Sequence, residues 1–246
     1  GDSDLIPHGG GTGGSRSSTV QNNAILVTVG VMIKAFSAFL ADKLEVECGD
    51  INFDDERFYI KGSNLAPSIL DCVQLARSDG RLDLMSHQST GTLEARSFPN
   101  GAHVAEVEID PATGVVKLDR YTVVDDFGNL FNPRLVEGQV HGGVVQGIGQ
   151  AINEHVVFDK NGQLLTGSFM DYSMPRAKDV PFITFETEPI PSKANSMGVK
   201  GCGEAGTVGA LAAVANAVQD AVWESGVRQA DMPFTPLRVW QMLQAG

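Results

Sequence analysis

The chain has 246 residues, 42% of them hydrophobic and 20% charged, enough to bury a substantial core in one large domain or two smaller ones. A formal net charge of −12 argues against a general polyanion binder, because phosphate backbones are neutralised by clustered Lys and Arg, and nucleic acid is not an expected partner. Cys48, Cys72 and Cys202 are widely separated with no CxxC pair, which argues against zinc or iron–sulfur sites of conventional kind, and an odd count without a signal peptide points to a reducing compartment, the cytoplasm.

The chain opens on "HGGGTGGSRSS" (His8 to Ser18), after which Val20, Ala24, Val27, Val31 and Leu40 fall mostly at helical spacing. The loop is therefore expected to deliver its backbone amides onto a helix N-terminus. The most apolar part of that helix, Ala24 to Leu40, is interrupted by Lys34 and falls short of the ~20 apolar residues a spanning helix needs, so it reads as a buried helix and not a membrane span.

"LEVECGDINF" (Leu44 to Phe53) and "ERFYIKG" (Glu56 to Gly62) flank an Asp-Asp turn and predict a hairpin. "APSILDCVQLAR" predicts a short helix with Pro67 in its first turn. The weakly patterned stretch Ser78 to Gly101 is the candidate internal boundary, dividing the chain into an N-terminal part, 1–98, and a C-terminal part, 99–246.

Beyond it, "AHVAEVEID" places Ala105, Val107 and Ile109 on one face and Glu106 and Glu108 on the other, and "PATG" turns it into "VVKLDRYTVVDD", a second hairpin. "EGQVHGGVVQGIGQAINEHVVF" predicts a helix from His141, Val145, Ile148 and Ile152, with glycines that permit close packing or a nearby ligand. Asn161-Gly162 predicts a turn between "HVVFD" and "QLLTGSF", and "PFITFETE" a further strand.

Leu211, Val214, Val218 and Val222 line a helix beginning near Ala205 or Gly206, and Thr235-Pro236 starts a last one. Mixed sheets with antiparallel hairpins and packed helices make the expected fold class α+β.

Gly201-x-Gly203-x-x-Gly206 has the spacing of a dinucleotide fingerprint, but "PSKANSMGVK" before it is no buried strand, and only about 40 residues follow. A nicotinamide-dependent dehydrogenase would need that strand. The glycines instead suit a loop passing close to a bulky ligand, with Glu204 at a helix N-terminus placed either as a general base or as a simple capping carboxylate.

"GTGGSRSS" lacks the Lys of a P-loop, yet its small residues, the hydroxyls of Ser15, Ser17 and Ser18 and the cation of Arg16 suit an anion; a flexible linker has the same composition. Gln146 in "VVQGIGQ" stands either as a ligand-facing amide or as an ordinary exposed helix residue. The five histidines show no HExxH or paired spacing, so no protein-ligated metal is expected.

"GVKGCGEAGTVGALAAVANAVQDA", "VEGQVHGGVVQGIGQAINEHVVFDKNGQLLTGSFMDYSMPRAKDVP" and "DMPFTPLRVW" together resemble the C-terminal part of the molybdenum-binding large subunit of the xanthine oxidase family, especially its aerobic carbon monoxide dehydrogenase-type branch. The resemblance runs from "GDSDLIPHGGGTGGSRSS" to the end of the chain. It implies a molybdenum hydroxylase whose metal is held by a pyranopterin dithiolene, often the cytosine dinucleotide form, without protein ligands.

By that resemblance Glu204 is the base beside molybdenum, taking a proton as oxygen from water is transferred to an aldehyde, an N-heterocycle or carbon monoxide. Gly14, Ser15, Arg16 and Ser17 are implied as the pterin phosphate loop, with Gln146 and Gly203 facing the cofactor. Electrons would pass to iron–sulfur and flavin centres on partner subunits. Phe127 stands where the resemblance leads one to expect a smaller residue.

The family's large subunit also has a long N-terminal portion that supplies the other half of the site, including residues that select the substrate. The chain, which begins without Met, therefore reads as a fragment or processed product, expected to be inactive alone. The alternative from another class is a non-catalytic scaffold that keeps the fold and binds no cofactor.

Overall fold

The computed structural model describes residues 2–6 and 8–245. The chain forms two compact units, one from Gly1–Ser17 with Ala95–Gly246 and one from Ser18–Glu94. The chain passes from one unit to the other at Glu94/Ala95. The opening glycine and serine loop, however, groups with the C-terminal part and not with 18–94, because it hydrogen-bonds to residues near 204.

In the unit of residues 18–94, α1 spans Ser17–Leu44, β1 (Ile51–Asp54) pairs antiparallel with β2 (Arg57–Ile60), and α2 spans Ile69–Ser78. Leu44 ends α1, so the expected strand from Leu44 begins only at Ile51. Pro67 lies before α2, whose cap is Ser68. The Ser68 hydroxyl accepts from the Asp71 amide, and the Asp71 carboxylate accepts from the Ser68 amide and hydroxyl.

Phe36, Phe39 and Leu40 of α1 pack with Phe58, Cys72 and Ala76 in the core of this unit. The expectation that Ala24 to Leu40 is buried holds only for the C-terminal end of that stretch. Ile25, Leu26, Val27, Val29 and Val31 are exposed, because the aromatic residues that anchor the helix are all near its end. By length and composition alone α1 is long and apolar enough to cross a membrane, and Phe36, Ser37, Phe39, Leu40 and Ala41 sit instead in a protein core.

The unit of residues 1–17 and 95–246 is built on a three-stranded sheet in the order β3 (Asn100–Ile109), β4 (Val116–Asp126), β5 (Ile183–Thr187). β3 and β4 are antiparallel with a register shift at Glu106/Val107, while β5 runs parallel to β4, reached through α3 (Pro133–Ile148). α4 (Ala205–Trp223) lies against β3 and α3, and α5 (Pro236–Ala245) ends the chain. The fold is therefore α+β with a mixed sheet and packed helices.

Apolar residues at steps of four, Val140, Val144 and Ile148 on α3 and Ala210, Val214 and Val218 on α4, form the core with Tyr121, Val123 and Phe127. On α3 this buried stripe is shifted by one residue from the His141 and Val145 set, because Gly143 and Gly147 bring α3 close to α4. Asn161-Gly162 makes its turn, with the Asp159 carboxylate accepting from the Asn161 and Gln163 amides, but the flanks, joined by a bridge at Phe158 and Leu164 and by a bond from the Val157 amide to the Thr166 hydroxyl, form no strands.

Candidate functional site

The approach to Glu204 is fixed by a zipper of short contacts. After β4, Asp126 accepts from the amides of Gly128 and Ile190, each at 2.9 Å, and is ion-paired to Lys200. The Lys200 amide donates to the Phe127 carbonyl at 2.8 Å, the Asn129 amide to the Gly198 carbonyl at 2.9 Å, and the Asn129 side chain to the Met197 carbonyl at 2.7 Å. Gly128, at φ +62, leaves no room for a Cβ, which would stand 2.1 Å from the Gly198 carbonyl. Residues 197–200 are thus held against 126–129, and the next four residues form the glycine loop.

Electrostatics favour this anchor. Burial acts to raise the Asp126 carboxyl, but hydrogen bonds from Lys200, Ile190 and Gly128 and the Lys200 charge outweigh it and hold the group below the usual carboxylate range.

Glu204 immediately precedes α4 and is exposed. Its side chain makes no capping hydrogen bond to the helix, so the capping role open in the sequence is not the one adopted. Instead the Ser15 hydroxyl donates to Glu204 Oε2 at 2.7 Å and accepts from the Glu204 amide at 3.0 Å. Two loops 189 residues apart in sequence are joined by this reciprocal pair.

The three glycines of the motif, expected to give clearance for a ligand, meet different surroundings. A Cβ on Gly201 would stand 2.0 Å from the Ser15 carbonyl, and one on Gly206 would stand 2.5 Å from the Val140 carbonyl. Both therefore clear the protein's own backbone. Only Gly203, exposed and with its nearest neighbour at 3.5 Å, leaves ordinary space.

In the serine loop, Gly14 and Ser15 both adopt left-handed backbone, φ +67 and +55. Arg16 donates from its guanidinium to the Gly11 carbonyl, and the Ser17 hydroxyl is hydrogen-bonded to that of Thr12. Arg16, Ser15 and Ser17 thus brace the loop or the adjoining Glu204.

Gln146 is exposed on α3 and reaches the first turn of α4. Thr207 Oγ1 lies 3.1 Å from Gln146 Oε1 and 3.0 Å from the Gly143 carbonyl, and its single proton serves one of the two at a time. Thr207 follows Glu204 by three residues, so Ser15, Gly203, Glu204, Thr207 and Gln146 lie along one stretch of surface. Gln139, one heptad before Gln146, puts its Oε1 4.0 Å from where a Gly203 Cβ would be. Thr207 and Gln139 escape a reading of motifs; the i to i+3 and i to i+7 helical offsets are the signal that could have found them.

Against Gly209 of α4, His103 Nδ1 is 2.7 Å from the Tyr121 hydroxyl and its Nε2 is 3.3 Å from Asp125 Oδ1, all three side chains being buried. Burial, then the Asp125 charge, pushes the Tyr121 phenol up, and burial likewise raises the Cys202 thiol. His141 on α3 stacks edge-on against Phe185.

The donor set fits a polar cofactor that brings its own metal ligands. It comprises one carboxylate, hydroxyls, two carboxamides and an open glycine. Among the described residues no cluster of three His, Cys, Asp or Glu side chains stands together to hold a metal ion.

A family model described as molybdopterin cofactor-binding domain matches residues 1–181. The carbon monoxide dehydrogenase large chain of Hydrogenophaga pseudoflava is 33% identical over 99% of this chain and 31% of its own length. The 6-hydroxypseudooxynicotine dehydrogenase complex subunit gamma of Paenarthrobacter nicotinovorans is 31% identical over 99% of this chain and 31% of its own. Reconstituted carbon monoxide dehydrogenase from Oligotropha carboxidovorans superposes with a TM-score of 0.87 at 30% identity, covering 100% of this chain and 31% of that one. The chain thus spans about a third of the length of these relatives.

Proposed function

Because the chain belongs to the molybdopterin cofactor-binding domain family of molybdenum oxidoreductases, we propose that it forms the base-bearing part of a molybdenum hydroxylase active site. The reaction is oxidation of a small substrate, an aldehyde, an N-heterocycle or carbon monoxide, with water as oxygen source. Its relatives include a carbon monoxide dehydrogenase and a 6-hydroxypseudooxynicotine dehydrogenase, which supports that substrate range. When bound, the molybdenum cofactor, here assigned the cytosine dinucleotide form, supplies the two-electron acceptor and oxygen-transfer chemistry.

The observation that carries this reading is the exposed Glu204 carboxylate, tethered at Oε2 by Ser15 beside the open Gly203. Glu204 takes the proton released during oxygen transfer, at Oε1. Gln146 and the Gly14–Ser17 loop orient the cofactor, Gln146 through its carboxamide and the loop through its backbone and Arg16. The remaining length of the subunit supplies residues that select substrate, so this chain alone does not turn over. Electrons leave to iron–sulfur and flavin partner subunits, and the free Cys48, Cys72 and Cys202 accord with a cytoplasmic setting.

Glu204→Gln in the full-length enzyme is expected to abolish turnover while molybdenum and pterin stay near one per protomer. Unchanged turnover would sink the assignment, and absence of molybdenum and pterin from the parent protein would make the chain a scaffold.

A further inference from the structure

We infer that Ser15 is a positioning residue for Glu204 and not a ligand of the cofactor's phosphate, an inference that rests on Glu204 being the base. A serine hydroxyl has one proton to donate. Here that proton is directed to Glu204 Oε2 at 2.7 Å, and an oxygen lone pair takes the Glu204 amide at 3.0 Å. A phosphate oxygen needs a donor, and the one donor of Ser15 is already engaged by a carboxylate in a charge-assisted hydrogen bond.

The backbone supports the same assignment. Ser15 stands at φ +55, a conformation that disfavours any side chain and that glycine adopts without steric cost. What serine adds over glycine at this position is the hydroxyl, and the hydroxyl's contacts are both to Glu204. The aim of that hydroxyl is fixed from the other side, since Gly201 packs so closely that its Cβ would stand 2.6 Å from Ser15 Cβ.

The consequence is for the carboxylate's geometry. An exposed glutamate has three rotatable bonds and samples several rotamers, whereas the Ser15 bond holds one oxygen and leaves Oε1 to take the proton. Misplacement of a reacting group by about 1 Å is enough to slow a reaction by roughly 10²-fold. Loss of the tether should therefore appear in turnover, not in substrate affinity.

The test is made in the full-length enzyme with Ser15→Gly and Ser15→Ala. Both are expected to lower kcat by about 10- to 100-fold, leave KM within about twofold, and leave molybdenum and pterin content at the parent level. Hydrogen exchange of the peptide spanning residues 201–208 should rise in both. Using two replacements separates the hydroxyl from the backbone, because glycine relaxes the left-handed residue and alanine does not. Loss of molybdenum or pterin in step with activity would make Ser15 a cofactor contact and overturn the inference, as would an unchanged kcat. The Glu204→Gln enzyme separates the two failures: if that variant still turns over, the assignment of the base is wrong, and if only the Ser15 variants are unaffected, the tether alone is wrong.

Discussion

The ammonium of Lys200 rests on the carboxylate of Asp126 at the foot of the loop that carries Glu204, with the two side chains only 10% and 9% exposed. Removing one member of a buried pair leaves the other charge uncompensated, which destabilises by about 3–5 kcal/mol. Lys200→Met is expected to lower stability by that amount. Both tryptophans, Trp223 and Trp240, lie in the same unit, so urea unfolding followed by their emission reports on it. A loss below about 1 kcal/mol would show the pair to be dispensable.

The same pair sets an acid limb. Asp126 is held below its ordinary value, so its contribution is complete above the unfolded carboxylate value of about 4 and is lost as pH falls through the lower folded value. Asp110 and Asp159 of this unit are also lowered, by a Thr113 side-chain bond and a Gln163 amide respectively, but Asp110 is exposed and Asp159 half-exposed, so solvent screens them. In Asp126→Asn the fall of the urea midpoint below pH 4 should flatten; an acid limb unchanged from the parent would assign it elsewhere.

Much of this architecture is legible in the residues because local patterns agree with the tertiary outcome. Alternation in "AHVAEVEID" became β3, and the four-residue steps of Val214, Val218 and Val222 became the buried face of α4. The failures have physical causes. Leu44 looked like a strand residue in its own window, yet α1 runs through it. The parallel pairing of β5 with β4 joins Tyr121 to Ile183 across a long connection and has no local signature. At the site, Glu204 stood out by its motif, but its partner Ser15 lies 189 residues away, and nothing in either loop alone specifies that bond.

Glycines of the motif should separate into two kinds on substitution. Gly206→Ala drives a Cβ to 2.5 Å from the Val140 carbonyl and 2.8 Å from the Val144 amide nitrogen, backbone atoms of α3 that cannot step aside. Overpacking of this kind destabilises by about 1–3 kcal/mol, against a gain of up to about 1 kcal/mol from replacing glycine in a helix. Gly203→Ala, with its nearest neighbour at 3.5 Å, should unfold at the parent urea concentration but lower cofactor content in the full-length enzyme. Equal stability losses in both variants would mean that the two glycines serve packing alike.

The buried Tyr121 hydroxyl gives His103 Nδ1 its partner at 2.7 Å, and Tyr121 itself is 1% exposed. Tyr121→Phe keeps the ring in the core and deletes only the oxygen, leaving a buried imidazole nitrogen without that partner, which costs about 1–3 kcal/mol. The phenol is also pushed above its ordinary value by burial and the Asp125 charge. A raised phenol contributes stability that is complete below the unfolded value of about 10 and is lost as pH rises through the folded value. Urea midpoints of parent and variant should therefore differ at pH 7 and converge as the pH is raised above 10. A Tyr121→Phe midpoint equal to the parent's at pH 7 would show that the His103 ring satisfies Nδ1 without the hydroxyl.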